Sequence, residues 1–240
     1  MNIPQVQFNP RNITTQRKKP KVQSNDFKGH IKKIVDELDS KFLGTNDTSR
    51  ICHEELQNKR RLYDVFNVFT AIGCMTRSAS QCYYWNGTKQ ILFQLKTLKK
   101  QHRIDNWKLS LDELFPVNNC VYVTDLTIAF LLLFPAVDSN VIDVKTACAF
   151  FSRKTNRLKT TLSKLYQIIL ILSAINIVAR TEGVSQIRLL PPYLDCLIEQ
   201  IKGPDSIEYL LNRRYDEKYE GVKIRRNELV NAYFLKEKSI

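Results

Sequence analysis

NKRRLYDVFNVFTAIG, residues 58–73, decides how the rest of the chain is read. Its apolar residues recur at helical spacing, yet it opens on three consecutive cations, Lys59, Arg60 and Arg61, with Tyr63-Asp64 just behind them. On a wheel at about 100° per residue, Leu62, Val65, Phe66, Phe69 and Ile72 form one stripe, the face that seeks a core. Arg60, Asp64 and Asn67 lie together opposite it, with Arg61 and Tyr63 on the two flanks. The cations therefore project from the first turn of a helix anchored by its other side, and Gly73 ends that helix.

The neighbouring segments give this helix a setting. From Asp26, the residues Phe27, Ile31, Ile34, Val35, Leu38 and Phe42 share one helical face, predicting a first helix. FLGTNDTS breaks it at Gly44, with Asp47 or Thr48 as the next N-cap, and a short second helix follows through Cys52 to Leu56. After the opening stretch, CMTRSASQCYYWNG (74–87) sets two β-prone pieces around the polar turn Ser78 to Gln81, a hairpin pattern. Three helices followed by a hairpin make a winged helix, whose third helix enters a major groove. At such a helix start an arginine fork matches guanine O6 and N7 together. Asp64 is spaced to hold a guanidinium in position, and Tyr63 can donate its hydroxyl to a phosphate. The same residues also fit a solvated helix start with an i, i+4 ion pair.

Composition agrees with a polyanionic partner. The 240 residues, 43% hydrophobic and 25% charged, allow one large or two small domains. Lys and Arg number 37 against 24 Asp and Glu, a net charge of +13, which favours nucleic acid first and an acidic membrane surface second. Charge also serves solubility alone. The cysteines, Cys52, Cys74, Cys82, Cys120, Cys148 and Cys196, stand far apart with no CxxC, as reduced thiols of an intracellular protein do. With three histidines they form no metal-ligand set. MNIPQVQFNP has no apolar signal region, and the apolar run at 128–134 is too short to span a bilayer. No phosphate loop, catalytic triad spacing or carboxylate pair points to an enzyme, and nothing calls for a cofactor or small-molecule ligand. Residues 1–24 hold Arg11, Arg17, Lys18, Lys19 and Lys21 with no acid, a basic flexible arm. QRKKPK (16–21) reads as a nuclear-import signal or as an arm along a phosphate backbone.

The pattern then repeats. An offset of 103 residues aligns 61–77 with 164–180 without a gap, with Leu62/Leu165, Tyr63/Tyr166, Ala71/Ala174, Ile72/Ile175 and Arg77/Arg180 identical. This is an internal duplication. TDLTIAFLLLF (124–134) supplies a first helix, DVKTACAFF (143–151) a second, and Glu182-Gly183 turns a hairpin into SQIRLL, stopped by Pro191-Pro192. A basic connector fills 88–120, with a helix around TLKKQHR (97–103), and 193–240 looks helical and amphipathic.

The pattern K-R-R-x-Y-D-x-x-N-V-x-x-x-I-G is met by Lys59, Arg60, Arg61, Tyr63, Asp64, Asn67, Val68, Ile72 and Gly73. It resembles the E-two-factor/DP (TDP) family of winged-helix cell-cycle transcription factors. Trp85 and Gly87 stand where that family's W-x-G closes the wing, so the likeness covers about 60 residues. The resemblance implies a nuclear regulator that binds double-stranded DNA at a GC-core promoter element behind a T-rich tract, with Arg60 and Arg61 reading the core. The second repeat resembles the same family in worn form, VIDVKTACAFF (141–151) looking like the family's second helix. Ser163 and Lys164 replace Arg-Arg, Gln167 replaces Asp, and Leu170 replaces Asn. Tandem domains resemble the atypical branch, which needs no separate DP subunit, and LSAINIV (172–178) leans toward the DP version, together suggesting a cis-linked pseudo-heterodimer. The second repeat would hold phosphate through Arg157, Lys159 and Lys164, with Tyr166 at the place of Tyr63, or dock protein through Leu170. Arg77 adds a cation at the first wing. No heptad dimerisation helix and no acidic-aromatic tail is evident, and NRRYDEKYEG (212–221) echoes the motif without its apolar frame.

The expected fold class is mainly α with small β-hairpin wings: tandem winged-helix (helix-turn-helix) domains plus C-terminal helices. The arm occupies 1–24, the first domain 25–87, the linker 88–120, the degenerate second domain 121–192 and the helical extension 193–240. The expected function is sequence-specific transcriptional regulation, by repression or as an adaptor. The alternative is a tandem winged-helix subunit of a larger nuclear assembly. There, DNA contact is weak, and the second domain and C-terminal helices dock protein subunits.

Overall fold

Helix α1 (Ser24–Ser40) buries Phe27, Ile31, Ile34, Val35 and Leu38, the stripe that predicted it. The computed structural model to which it belongs describes residues 24–40, 59–77, 83–106, 108–117, 120–198, 221–222 and 224–232. The expected helix at Cys52–Leu56, the arm with Arg17, Lys18 and Lys19, the wing tip at Ser78–Gln81 and NRRYDEKYEG up to its last residue lie outside these.

Helix α2 (Lys59–Ala71) buries Leu62, Val65, Phe66, Val68, Phe69 and, just past its end, Ile72. It closes at Gly73, whose φ of 81° is the left-handed conformation of a helix C′ residue. A side chain there would also meet Gln94 Cβ, 2.7 Å from the position a Cβ would take. Strands β1 (Met75–Arg77) and β2 (Tyr83–Trp85) pair antiparallel, Thr76 opposite Tyr84. Their aromatics lie on α2, Tyr83 4.5 Å from Phe66 and Trp85 5.5 Å from Phe69, centroid to centroid. Asp39 latches the hairpin to α1, accepting from Trp85 Nε1 at 2.8 Å and from Thr88 Oγ1 at 2.9 Å. Trp85→Phe keeps the ring and removes the donor. It should lower stability by about 1 kcal/mol in urea unfolding without a change in slope.

The expected connector proves more ordered than its composition indicates. Helix α3 (Gln90–Gln101) buries Ile91, Leu95 and Leu98, and draws Lys99 inward to pair with Asp105 at 2.9 Å. Its other cations occupy one side only, so basic composition masked an amphipathic helix. A single turn, α4 (Leu111–Leu114), follows, fixed by a reciprocal capping box of Ser110 and Glu113. Helix α5 (Val123–Ala136) is apolar nearly all round and buried on most sides, the centre about which the rest packs.

One expectation needs correction. The wider VIDVKTACAFF of the family likeness is not one helix, since Val141–Asp143 form strand β3, but DVKTACAFF forms helix α6 (Val144–Phe151) as its residues predict. Asp143 caps it by accepting from Thr146 N at 2.8 Å, which sets the start, while Val141 and Ile142 pair with a strand distant in sequence. Helix α7 (Leu158–Ala174), strands β4 (Val178–Arg180) and β5 (Gln186–Leu189), and the short helix α8 (Tyr193–Leu197) complete this half. The sheet order is β3-β5-β4, antiparallel throughout. Residues 221–222 and 224–232 are helical, the latter forming α9.

The two halves agree in detail. Helices α2 and α7 end at Ala71 and Ala174, and strands β1 and β4 occupy equivalent residues at the 103 offset. Asn176, with φ 57°, takes the left-handed place of Gly73. The halves also pack on each other: α2 lies against α5 and α7, α1 against α7, and α3 against α8. Equivalent residues meet where Gln167 Nε2 donates to Asp64 Oδ2 across a separation of 103, and Cys196 Sγ, one place off the repeat register, lies 3.4 Å from Leu92 O. Contact between equivalent positions is what a two-fold pairing of like units produces. One continuous hydrophobic cluster runs through both.

Candidate nucleic-acid interface

The first turn of α2 is chemically unusual. It holds Lys59, Arg60 and Arg61 and no acid, although the unpaired N–H groups and positive dipole end of a helix favour anions there. Three cations at that end oppose stability, and an external polyanion would remove the conflict. Arg61 is exposed, its guanidinium carbon 5.1 Å from the Phe27 ring centroid, so a cation–π contact from α1 orients it while leaving its edge in solvent. Tyr63 is 55% exposed. Arg77 is exposed on β1, 6.0 Å from the centroid of Tyr83.

Farther along α2, the face expected to be open is not bare. Asp64 and Asn67 are half-buried, because α7 packs alongside and Asp64 accepts from Gln167. Asp64 thus ties the two halves together at their equivalent positions.

The residues expected to act from the second half separate into two groups. Arg157 and Lys159, at the start of α7, are exposed, and Tyr166 is 39% exposed. Lys164 is turned inward, its Nζ donating to the Val121 carbonyl just before α5. Leu170 is half-buried and packs against the core. Arg188, which sequence reasoning passed over, is exposed on β5 opposite Ala179 of β4. The alternation of SQIRLL, with Ile187 and Leu189 buried, carried that signal.

Among the described residues no group of three His, Cys, Asp or Glu is placed to hold a metal ion, and no helix is long and apolar enough to cross a membrane. Cys74 is buried, and desolvation, with the Asp39 charge nearby, pushes its thiol well up, so it stays an inert thiol.

A helix with a cationic first turn, backed by α1 and followed by a latched hairpin, occupies the same residues that a known domain does. Residues 15–87 match the E-two-factor/DP family winged-helix DNA-binding domain. Neither a curated protein nor a solved structure matches the chain. The domain match takes in α1, α2 and the first hairpin and stops at Gly87. It supports double-stranded DNA binding and regulation of transcription as the work of this part of the chain, and E-two-factor/DP proteins are transcription factors rather than enzymes.

Proposed function

We propose that the protein is a nuclear, sequence-specific regulator that reads a GC-core element of duplex DNA with the first turn of α2. Arg60 and Arg61 would meet guanine edges, Lys59 and Tyr63 the phosphates beside them, and Arg77 the backbone near the wing. The observation that supports this reading best is the cationic start of α2, with no acid in its first turn and Arg61 exposed over Phe27. Residues 121–192 act in this reading as a second, degenerate winged helix, a partner subunit carried in cis. Its support is the meeting of the equivalent residues Asp64 and Gln167.

A second reading, a subunit of a larger nuclear assembly with weak DNA contact, is favoured by one observation. Lys164, Gln167 and Leu170 are engaged within the chain, which leaves the second half few groups for bases. In both readings Arg157, Lys159 and Tyr166 contribute phosphate contacts at most, with Arg17, Lys18 and Lys19 on the arm.

Selection from a random duplex library by the full-length chain at two salt concentrations decides between them. Enrichment of a single GC-core half-site supports the first reading with one reader. Two half-sites make both repeats readers. Binding without enrichment, lost at the higher salt, leaves the assembly subunit. Lys164→Ala is expected to act on folding. Losing its bond to the Val121 carbonyl should cost about 1–2 kcal/mol in chemical unfolding, with the slope of DNA affinity against salt unchanged.

A further inference from the structure

Helix α3 carries a surface used neither by the core nor by the cationic end of α2. Its sequence, QILFQLKTLKKQ, has no acidic residue. Ile91, Leu95 and Leu98 face the interior, and Lys99 joins them through its pair with Asp105. The opposite side presents Lys89, Phe93, Lys96 and Lys100, all exposed. At about 100° per residue these four fall within an arc of about 60°. Phe93 is 70% exposed at the middle of this cationic stripe. None of the three lysines has an ion-pair partner among the described residues.

The position of the stripe matters as much as its composition. Gln94 abuts Gly73, the C-terminal end of α2, so α3 lies about 20 Å along that helix from Lys59–Arg61. One flank of α3 is covered by α8 through the Cys196–Leu92 contact. The Lys89–Phe93–Lys96–Lys100 face is exposed throughout and lies at the end of α2 opposite the one that would enter a groove.

We propose that this face is a docking site for an acidic protein segment bearing an apolar anchor, a partner held on the side of the first repeat away from DNA. Lysines at 89, 96 and 100 flank the ring at helical spacing, so carboxylates on an amphipathic segment can pair with them while one apolar side chain covers Phe93. Duplex DNA satisfies the lysines but offers a phenyl ring no pocket short of unstacking bases. Exposed ion pairs are individually weak and salt-screened, so the ring is the anchor on which affinity depends.

The test uses the full chain and a fluorescein-labelled peptide of about 16 residues built from Asp, Glu, Leu and Phe, read by anisotropy. Expected is saturable, salt-sensitive binding that weakens at least about tenfold in Phe93→Ala and again in the Lys96→Glu/Lys100→Glu double variant. A control peptide with Ser at every apolar position should bind about tenfold more weakly and ignore Phe93→Ala. Duplex-DNA affinity of Phe93→Ala should stay within about twofold of the parent. Its melting temperature should not fall, since the ring stands mostly in solvent. Peptide binding indifferent to Phe93 overturns the proposal. So does a parallel loss of DNA affinity, which would assign the face to DNA. Phe93-dependent binding to phosphatidylserine vesicles without Phe93-dependent peptide binding overturns it too, and would assign the face to a membrane. None of these readouts requires α2 to read a GC element, so the docking face and the recognition helix stand or fall separately.

Discussion

Replacing Arg60 and Arg61 together by Ala removes the preference for a GC-core duplex over a scrambled one, while salt-sensitive non-specific binding remains. Each bidentate arginine–guanine pair carries about 1–3 kcal/mol of discrimination, so losing two corresponds to roughly 30-fold to 10⁴-fold in relative affinity. The fold should survive the change. Arg61 is exposed and gives up a single cation–π contact with Phe27, and deleting two cations from a helix start relieves an unfavourable interaction with the dipole. Competition binding of the two duplexes, with a melting curve alongside, separates lost reading from lost folding. If Arg60→Ala alone keeps the full preference, α2 is not the recognition helix as assigned.

The second large effect lies at the other end of the chain. Arg226, on α9, is 3% exposed and reaches across to the carbonyls of Ala136 at 3.0 Å, Asn106 at 3.1 Å and Leu109 at 2.7 Å. Ala136 is the last residue of α5, where carbonyls lack intrahelical partners and the dipole is negative. Asn227 adds a bond to the Val137 carbonyl at 2.9 Å. Desolvation lowers the Arg226 pKa below its ordinary value, yet guanidinium stays charged at any pH the protein meets. Arg226→Ala leaves three acceptors of a buried charge without their donor and should cost about 3–5 kcal/mol. Urea unfolding measures the loss, and hydrogen exchange should show protection vanishing first over 224–232. Arg226→Lys keeps the charge but cannot span three carbonyls, so it should recover less than half. Neither variant should alter the DNA preference of the protein that remains folded.

These two arginine sites show unequal legibility. The Lys59–Arg61 cluster was evident because everything that frames it is local: the apolar stripe of α2, the terminating Gly73 and the two hairpin strands all lie within a few turns of it. Helix α1 was legible for the same reason. Arg226 was invisible, because what marks it is the end of a helix some 90 residues earlier, and no spacing within α9 reports that. Within the expected connector a helix is legible around TLKKQHR, but α3 begins earlier, at Gln90, where its buried positions Ile91 and Leu95 already repeat at helical spacing. Val141–Asp143 join the second helix only in the family likeness, and pairing with β5 makes them a strand instead.

By itself the sequence determined helices α1 and α2, the alignment of 61–77 with 164–180 at an offset of 103 and the cluster of cations at the α2 start, since helical periodicity is a property of short segments. The tertiary structure decided which polar groups remain available. Lys164 and Gln167 look like surface residues on a wheel, yet packing of the two halves turns one to the Val121 carbonyl and the other to Asp64. A wheel knows only the neighbours within a turn or two, whereas the environment of a side chain is set by whatever element the fold brings against it.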